Sequence, residues 1–330
     1  MDSQLKNLRL QKWIAFFSVI LLLAKLFAYF LTHSVAVLSD ALEGIVNVAA
    51  GFLGWYSLSI SAKPKDYDHP YGHGKIEFIS AGIEGGMILI AGILIFYEGV
   101  KNLIHPKPLL QLDIGILLIS IAGLFNFIMG FMAVKTGKKS NSLALIASGK
   151  HLQSDTYTTL GVLVGLALVY FTDLLWIDSL TGIIFSGVII YTGYSILRKS
   201  VAGIMDESDH KLLEKVADTL EKNRRQNWID FHNLRIIKYG SKLHLDCHLT
   251  VPWYLTVREA HVEVEVIAQL VRKEFGKSLE LFIHEDDCQS YACKICLKQP
   301  CPERKFEYKN SISWNVKNLV EDKEHGAIKD

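Results

Sequence analysis

Residues 143–171 read LALIASGKHLQSDTYTTLGVLVGLALVYF, an apolar run of membrane-spanning length with His151 and Asp155 set inside it. An ionisable side chain at the bilayer centre costs at least ~2.5–3.5 kcal/mol on insertion scales, so both residues need a reason to be there. Five more runs share this apolar character, at 13–31, 35–60, 76–100, 112–134 and 175–197. Each is long enough, at ~1.5 Å per residue, to cross roughly 30 Å of hydrocarbon. The reading is six transmembrane helices. The first run is too long for a cleaved leader and lacks a small-residue cleavage site.

Outward from these runs, composition sets the frame. Half of the 330 residues are hydrophobic, 21% are charged and the formal net charge is +1. That balance excludes a disordered chain and a nucleic-acid binder that works through a basic surface. Charges are sparse from Trp13 to Leu197 and dense from Arg198 onward. Three regions follow: a membrane domain over 1–200, a soluble α+β domain over 206–287, and a Cys-rich extension and tail over 288–330. An even number of spans puts both termini on one side. The termini and the loops after the second and fourth spans carry eleven Lys and Arg, against Lys101 and Lys107 on the other side. The positive-inside rule therefore places both termini in the cytoplasm.

The soluble part reads α-β-β-α-β. Residues 208–222 put Leu212, Leu213, Val216 and Leu220 on one helical face, and 232–238 reads as a strand. In 243–251 the odd positions are apolar, while His244, Asp246, His248 and Thr250 point the other way. Thr256 and Glu259 form a capping-box signature before a helix to about Phe275, and 279–284 makes a third strand. A small α+β sandwich of ferredoxin-like, metallochaperone-like topology fits this order. Beyond Cys301 the chain is polar and reads as a mobile tail, with Ile312, Val316, Leu319 and Val320 spaced for one amphipathic helix.

The second span carries Asp40, Glu43 and Asn47; the fifth carries Lys150, His151 and Asp155. Glu43 with Asn47, and His151 with Asp155, are i,i+4 pairs that each share a helix face. Span 2 enters from outside and span 5 from inside. Glu43 and His151 both lie nine residues in, a depth of roughly 13 Å, so the pairs meet at one level. Carboxylate and imidazole suit a divalent transition metal, and four ligands suit tetrahedral zinc. The competing reading is that the pairs hydrogen-bond or line a water cavity. Lys25 is read as snorkelling or paired, Lys150 is unplaced, and Glu84 and Asn126 are read as interhelical hydrogen-bonding residues.

The segments Ser39-Asp40-Ala41-Leu42-Glu43-Gly44-Ile45-Val46-Asn47, His151-Leu152-Gln153-Ser154-Asp155 and Asp66-Tyr67-Asp68-His69-Pro70-Tyr71-Gly72-His73-Gly74-Lys75-Ile76-Glu77 together resemble the cation diffusion facilitator family, the bacterial zinc/iron efflux transporters. The resemblance covers about residues 10–288. It implies six spans with a cytoplasmic metallochaperone-like domain, a homodimer in the bilayer, and export of divalent metal in exchange for protons. It also implies a transport site of Glu43, Asn47, His151 and Asp155. One departure stands out: the family usually has Asp or His at position 43 and Asp at 47. A neutral amide is a poor zinc ligand and an acceptable one for harder ions, so zinc comes first, with iron, manganese, cobalt and cadmium open.

Asp66, His69 and His73 match the family's loop metal site, although a solvated loop that holds the start of span 3 would look the same. Lys75 and Asp206 match a charge interlock that braces the family's dimer. His232, His248, His261, His284 and Asp286 fall where relatives place a binuclear zinc site at the dimer interface, which implies zinc as regulator as well as substrate. His244, Asp246 and His248 on one strand face add weight.

Cys288, Cys293, Cys296 and Cys301 lie within fourteen residues. In a reducing cytoplasm these read as a structural Zn–S4 site, an iron–sulfur site or free thiols. Cys247 reads as a buried strand residue. With no histidine-rich insert in the 4–5 loop, the expected location is a prokaryotic plasma (inner) membrane. A metal sensor of the same fold with little transport is the alternative function. No nucleophile or phosphate loop supports an enzyme, and tight four-ligand coordination argues against a passive channel.

Overall fold

The computed structural model describes residues 2–32, 35–105, 113–172, 176–240, 242–276 and 279–326. Within the helices the side chains of Lys25, residues 28–43 (Glu43 included) and 162–171, among others, fall outside that description. The chain divides into two compact units, Met1–Met205 and Asp206–Asp330.

The first unit is helical: α1 (Asp2–Thr32), α2 (Val35–Ser61), α3 (Ile76–Ile104), α4 (Asp113–Ser140), α5 (Leu143–Thr172) and α6 (Trp176–Ile204). Each apolar run becomes one helix, and several helices outlast their run. In α4 the extra turns end on Lys138 and Lys139, whose charge complements the helix C-terminus. Among the described residues, Leu5–Ala24, Ile76–Lys101 and Ser120–Ser140 are long and apolar enough to cross a membrane. Large apolar side chains are exposed on every helix, including Leu23, Phe52, Leu94, Leu124, Leu160 and Ile184. A surface this apolar suits lipid rather than water.

Inside the unit, polar and small residues join the helices, as expected where the surrounding solvent gives no hydrophobic drive for association. Asn7 Nδ2 donates to Ser140 Oγ at 2.7 Å, linking α1 to α4. Ser61 Oγ and Ser142 Oγ both donate to the Glu77 carboxylate, the former at 2.7 Å. At Gly149 a Cβ would come within 2.7 Å of the Val134 backbone nitrogen. Only glycine therefore lets α5 approach α4 this closely, two residues before His151.

The second unit consists of α7 (His210–Lys222), β1 (Asp230–Tyr239), β2 (Lys242–Val251), α8 (Val257–Phe275), β3 (Leu279–Asp287), a 3-10 turn over Ser290–Lys294 and the short α9 (Val316–Leu319). The sheet order is β1-β2-β3, with β1/β2 antiparallel and β2/β3 parallel, so α8 is the crossover that parallel pairing requires. Both halves of the capping box at Thr256 and Glu259 form. In β2 the odd residues Leu243 to Val251 are all buried. They pack with Leu213, Val216 and Leu220 of α7 and with Ile267 and Val271 of α8. Burial pushes the Cys247 thiol up to about 12, which leaves it inert.

Two features depart from the sequence reading. β1 has a register shift between His232 and Arg235, and Asn233 takes a positive φ of 52°. The extra residue lets Phe231 face the core and still sends Leu234 and Ile236 there. The tail, read as mobile, is packed instead. Trp314 is buried edge-on to Phe231 with centroids 4.8 Å apart, and the Arg224 guanidinium lies 3.9 Å from its ring centroid. Leu319 is fully buried, and Asn233 N donates to Glu321 O at 2.7 Å. Two apolar anchors dock this segment, and only Val316–Leu319 of the expected amphipathic helix is helical.

Candidate metal sites

Helical periodicity stacks residue 47 below 43 on α2 and 155 beside 151 on α5. The two helices bring Asn47, His151 and Asp155 into direct contact. Asn47 Nδ2 donates to Asp155 Oδ2 at 2.6 Å, and Asn47 Oδ1 lies 2.7 Å from His151 Nε2. With the amide so oriented, Nε2 is the donor and carries a proton. All three residues are buried. The side chain of Glu43 lies outside the described residues.

Beside this triplet is a small cavity lined by Ser18, Gly44, Asn47 and Asn126. Neither Ser18 nor Asn126 was read as part of the site, although an amide inside an apolar run was a usable signal. One turn before His151, Ser148 Oγ reaches both Glu84 oxygens, at 3.0 and 3.1 Å, and accepts from Gln11 Nε2 at 2.9 Å. Glu84 thus joins α3 to α5. Lys150 is half-buried on α5, and Lys25 lies outside the described side chains.

In the loop between α2 and α3, Asp66 gathers both histidines. His69 Nδ1 is 3.0 Å from Asp66 Oδ1, His73 Nε2 is 3.2 Å from Oδ2, and the rings are 4.2 Å apart. The turn depends on Gly72 at φ 88°, a conformation that a side chain at this position would disfavour. One ligand atom from each residue lies within 4.8 Å of the others, the spacing of a three-ligand metal group. Lys75 belongs to the first unit and Asp206 to the second.

On the sheet, strand register builds the next group. His232 pairs with His248 and His248 with His284, which makes a transverse row of three histidines on the face away from the helices. Ring spacings of 4.9 and 4.8 Å match the strand separation. Asp286, two residues past His284, lies with Oδ2 2.9 Å from His248 Nδ1 and 3.6 Å from His232 Nε2. Its Oδ1 is 3.4 Å from His284 Nε2. Ligand atoms of His232, His248 and Asp286 fall within 4.8 Å of one another. His261 is exposed on α8 and is not drawn into this group.

Behind His232 lies the buried Asp230, its Oδ2 3.8 Å from His232 Nδ1 and its Oδ1 2.8 Å from Nδ1 of His325 in the tail. A carboxylate behind a histidine commonly orients a metal ligand through a hydrogen bond; here His232 Nδ1 makes none, and Asp230 acts on the ring by charge. The sequence reading missed it because Asp230 and His325 are ninety-five residues apart. Burial lowers the His232 pKa, against the pull of Asp230 and Asp286, and so favours the neutral ring.

The four clustered cysteines are all free thiols and line one pocket with Trp253, Tyr254 and Arg304. Their sulfurs are not among the groups drawn within 4.8 Å.

The family model described as the cation efflux transmembrane domain matches residues 12–205, and that of the cation efflux protein cytoplasmic domain matches 208–288. An uncharacterized transporter of Synechocystis sp. is 35% identical over 254 residues, covering 77% of this chain and 82% of its own. The cation-efflux pump FieF of Citrobacter koseri is 28% identical over 281 residues, 82% of this chain and 89% of that one. The FieF pump of Salmonella arizonae is 29% identical over 280 residues, covering 81% and 88%. Proteins of this family are transporters of divalent metal cations, not enzymes. A transmembrane helical domain matched over residues 12–205, followed by a small sheet domain matched over 208–288, makes this chain a member of the cation diffusion facilitator family of cation efflux transporters.

Proposed function

We propose that the protein is a proton-coupled antiporter that exports a divalent transition metal, zinc foremost, from the cytoplasm by alternating access. The observation that carries this reading is the buried contact of Asn47 with both His151 and Asp155. Asn47 gives His151 and Asp155 one hydrogen-bonding partner each inside the bundle, which lowers the cost of burying them. Metal loading breaks the amide bridge and requires a carboxylate and a neutral imidazole nitrogen, so it displaces protons. Protonation from the far side reverses this and ejects the ion. With Glu43 and Asp155 ionised and the histidine neutral, the site balances one doubly charged ion.

The same reading has six spans, cytoplasmic termini, a bacterial inner membrane and a homodimer. Lys75 and Asp206 brace the dimer by charge, and His261, outside the sheet group within one chain, comes from the second copy. Metal on His232, His248, His284 and Asp286 acts as regulator, and Asp66, His69 and His73 form a weaker loop site.

Proteoliposomes with an imposed pH gradient test the proposal. Zinc movement should follow the gradient and be accompanied by counterflow of protons. It should fall to background in His151→Ala and in Asp155→Ala, with the dimer retained on gel filtration. Transport by the double variant would remove this site from the mechanism, and transport indifferent to pH would remove the coupling.

A further inference from the structure

The Cys-bearing extension lies past the family's domain, whose match ends at residue 288 on the first of the four clustered cysteines. Cys288 directly follows β3, and its backbone N–H donates to Val251 O at 2.9 Å, tying it to the end of β2. Cys293 lies in the 3-10 turn, Cys296 is buried just beyond it, and Cys301 accepts a contact from Tyr254 Oη at 3.6 Å. All four therefore converge on one pocket from four points of an irregular segment.

That segment has little regular structure of its own. Arg304 does much of the shaping: its guanidinium donates to the carbonyls of Cys293, Cys296 and Lys298 at 2.8, 3.0 and 2.9 Å. Three carbonyls gathered on one cation curl the chain around the pocket. Ile229, Ala292, Ile295 and Cys296 supply only a small apolar cluster beneath it. Short irregular segments with a core this small are typically held by metal or disulfides. The cysteines here are unpaired.

We propose that Cys288, Cys293, Cys296 and Cys301 bind one soft divalent ion of the zinc type as a tetrathiolate site that clasps the extension to the end of the sheet. Four sulfurs select zinc, cadmium or cobalt over the harder ions that an amide-containing transport site admits. Binding sets the thiolates on a tetrahedron with metal–sulfur distances of ~2.3 Å. The site is independent of the transport reading, since it shares no ligand with α2 or α5. Asp286 lies two residues before Cys288 on β3, so occupancy also stiffens the strand that carries part of the histidine group.

The test uses full-length protein in detergent, purified under reducing conditions, stripped with chelator and reloaded with cobalt(II) or zinc alone. Cobalt should produce an intense thiolate charge-transfer band, lost in Cys293→Ser/Cys296→Ser and kept in Cys247→Ser and in His151→Ala/Asp155→Ala. Because the serine double variant can misfold, alkylation of the unaltered protein supplies a second readout. Zinc should slow labelling of Cys288, Cys293 and Cys301 at least tenfold, as mapped by peptide mass. Equal labelling with and without zinc, a missing charge-transfer band, paired disulfides, or iron with acid-labile sulfide in the purified protein would each overturn the proposal. Loss of transport in His151→Ala/Asp155→Ala with the band intact separates the fate of this site from that of the transporter.

Discussion

In the helical unit, Asn47 lies between His151 and Asp155 and occupies hydrogen-bonding atoms of both. On the sheet, His232, His248 and His284 are set in a row by strand register, and only His232 is deeply buried. The residue types are similar, yet they are held in opposite ways. In a low-dielectric interior buried polar side chains need partners, so on the proposed reading loading exchanges these contacts for the ion. On the sheet the ladder itself spaces these side chains, and His248 and His284 are open to solvent. The first arrangement suits an ion that must be released, and the second suits one that is held.

The largest expected effect breaks the buried group. Asp155→Ala leaves the Asn47 amide without its acceptor and, on the proposed reading, removes a ligand, so zinc flux in proteoliposomes should drop to background. His232→Ala should leave flux at saturating metal within a few-fold of the parent. Equal losses in both variants would mean that the two groups are not the separate devices described here. Next in size is Asn47→Asp, which replaces a neutral donor with a charged oxygen. Competitive uptake should shift toward zinc over manganese by roughly tenfold, since a carboxylate suits zinc better than an amide does. An unchanged metal preference would mean that Asn47 bridges the ligands without being one.

A smaller effect concerns Asp230, which touches His232 without belonging to the metal group. Asp230→Asn should weaken zinc binding at the sheet by roughly 10–100-fold, the usual cost of losing an orienting carboxylate. Titration calorimetry on full-length protein checks this, with His325→Ala giving a lesser loss through the same carboxylate. An Asp230→Asn protein with parental zinc affinity would show that register alone positions His232.

Legibility followed solvent and distance along the chain. Lipid forces each span to satisfy its own backbone, so the apolar runs announced the six long helices, and a polar residue inside one stood out by its cost. The same contrast hid Ser18, because a serine in a span is cheap and common. In the second unit, alternation made β2 readable from Leu243 to Val251. Alternation along one strand does not say which residue it faces, however, so the row His232–His248–His284 awaited the register. The Asn233 bulge had one signal that was passed over, since asparagine is poorly suited to strands and is among the few non-glycine residues that accept a positive φ. Trp314 escaped notice for another reason: a lone aromatic in a polar tail makes no period, and its partners Phe231 and Arg224 are over eighty residues away.

The smallest effect tests whether the sheet holds its ligands without help from the neighbouring helix. Asp209 caps α7, with Oδ1 accepting from Lys211 N and Leu212 N at 3.1 and 3.2 Å, and Oδ2 lies 2.6 Å from Lys238 Nζ. Partial burial works against its ionisation, but the Lys238 hydrogen bond and charge, with the two backbone amides, outweigh it and hold the carboxyl below its ordinary pKa. A folded-state pKa depressed in this way contributes stability that is present above the unfolded value of about 3.9 and is lost as pH falls through the folded one. Asp209→Ala should therefore cost ~1 kcal/mol at neutral pH, seen as roughly fivefold faster amide exchange in α7, with little added by the half-exposed Lys238 pair. The gap from the parent should close only below the ordinary carboxylate range. Zinc affinity at His232, His248 and Asp286 should not move, because the pairing of β1, β2 and β3 involves no residue of α7. If affinity fell in step with α7 protection, the ligands would owe their spacing to the packed helix rather than to the ladder.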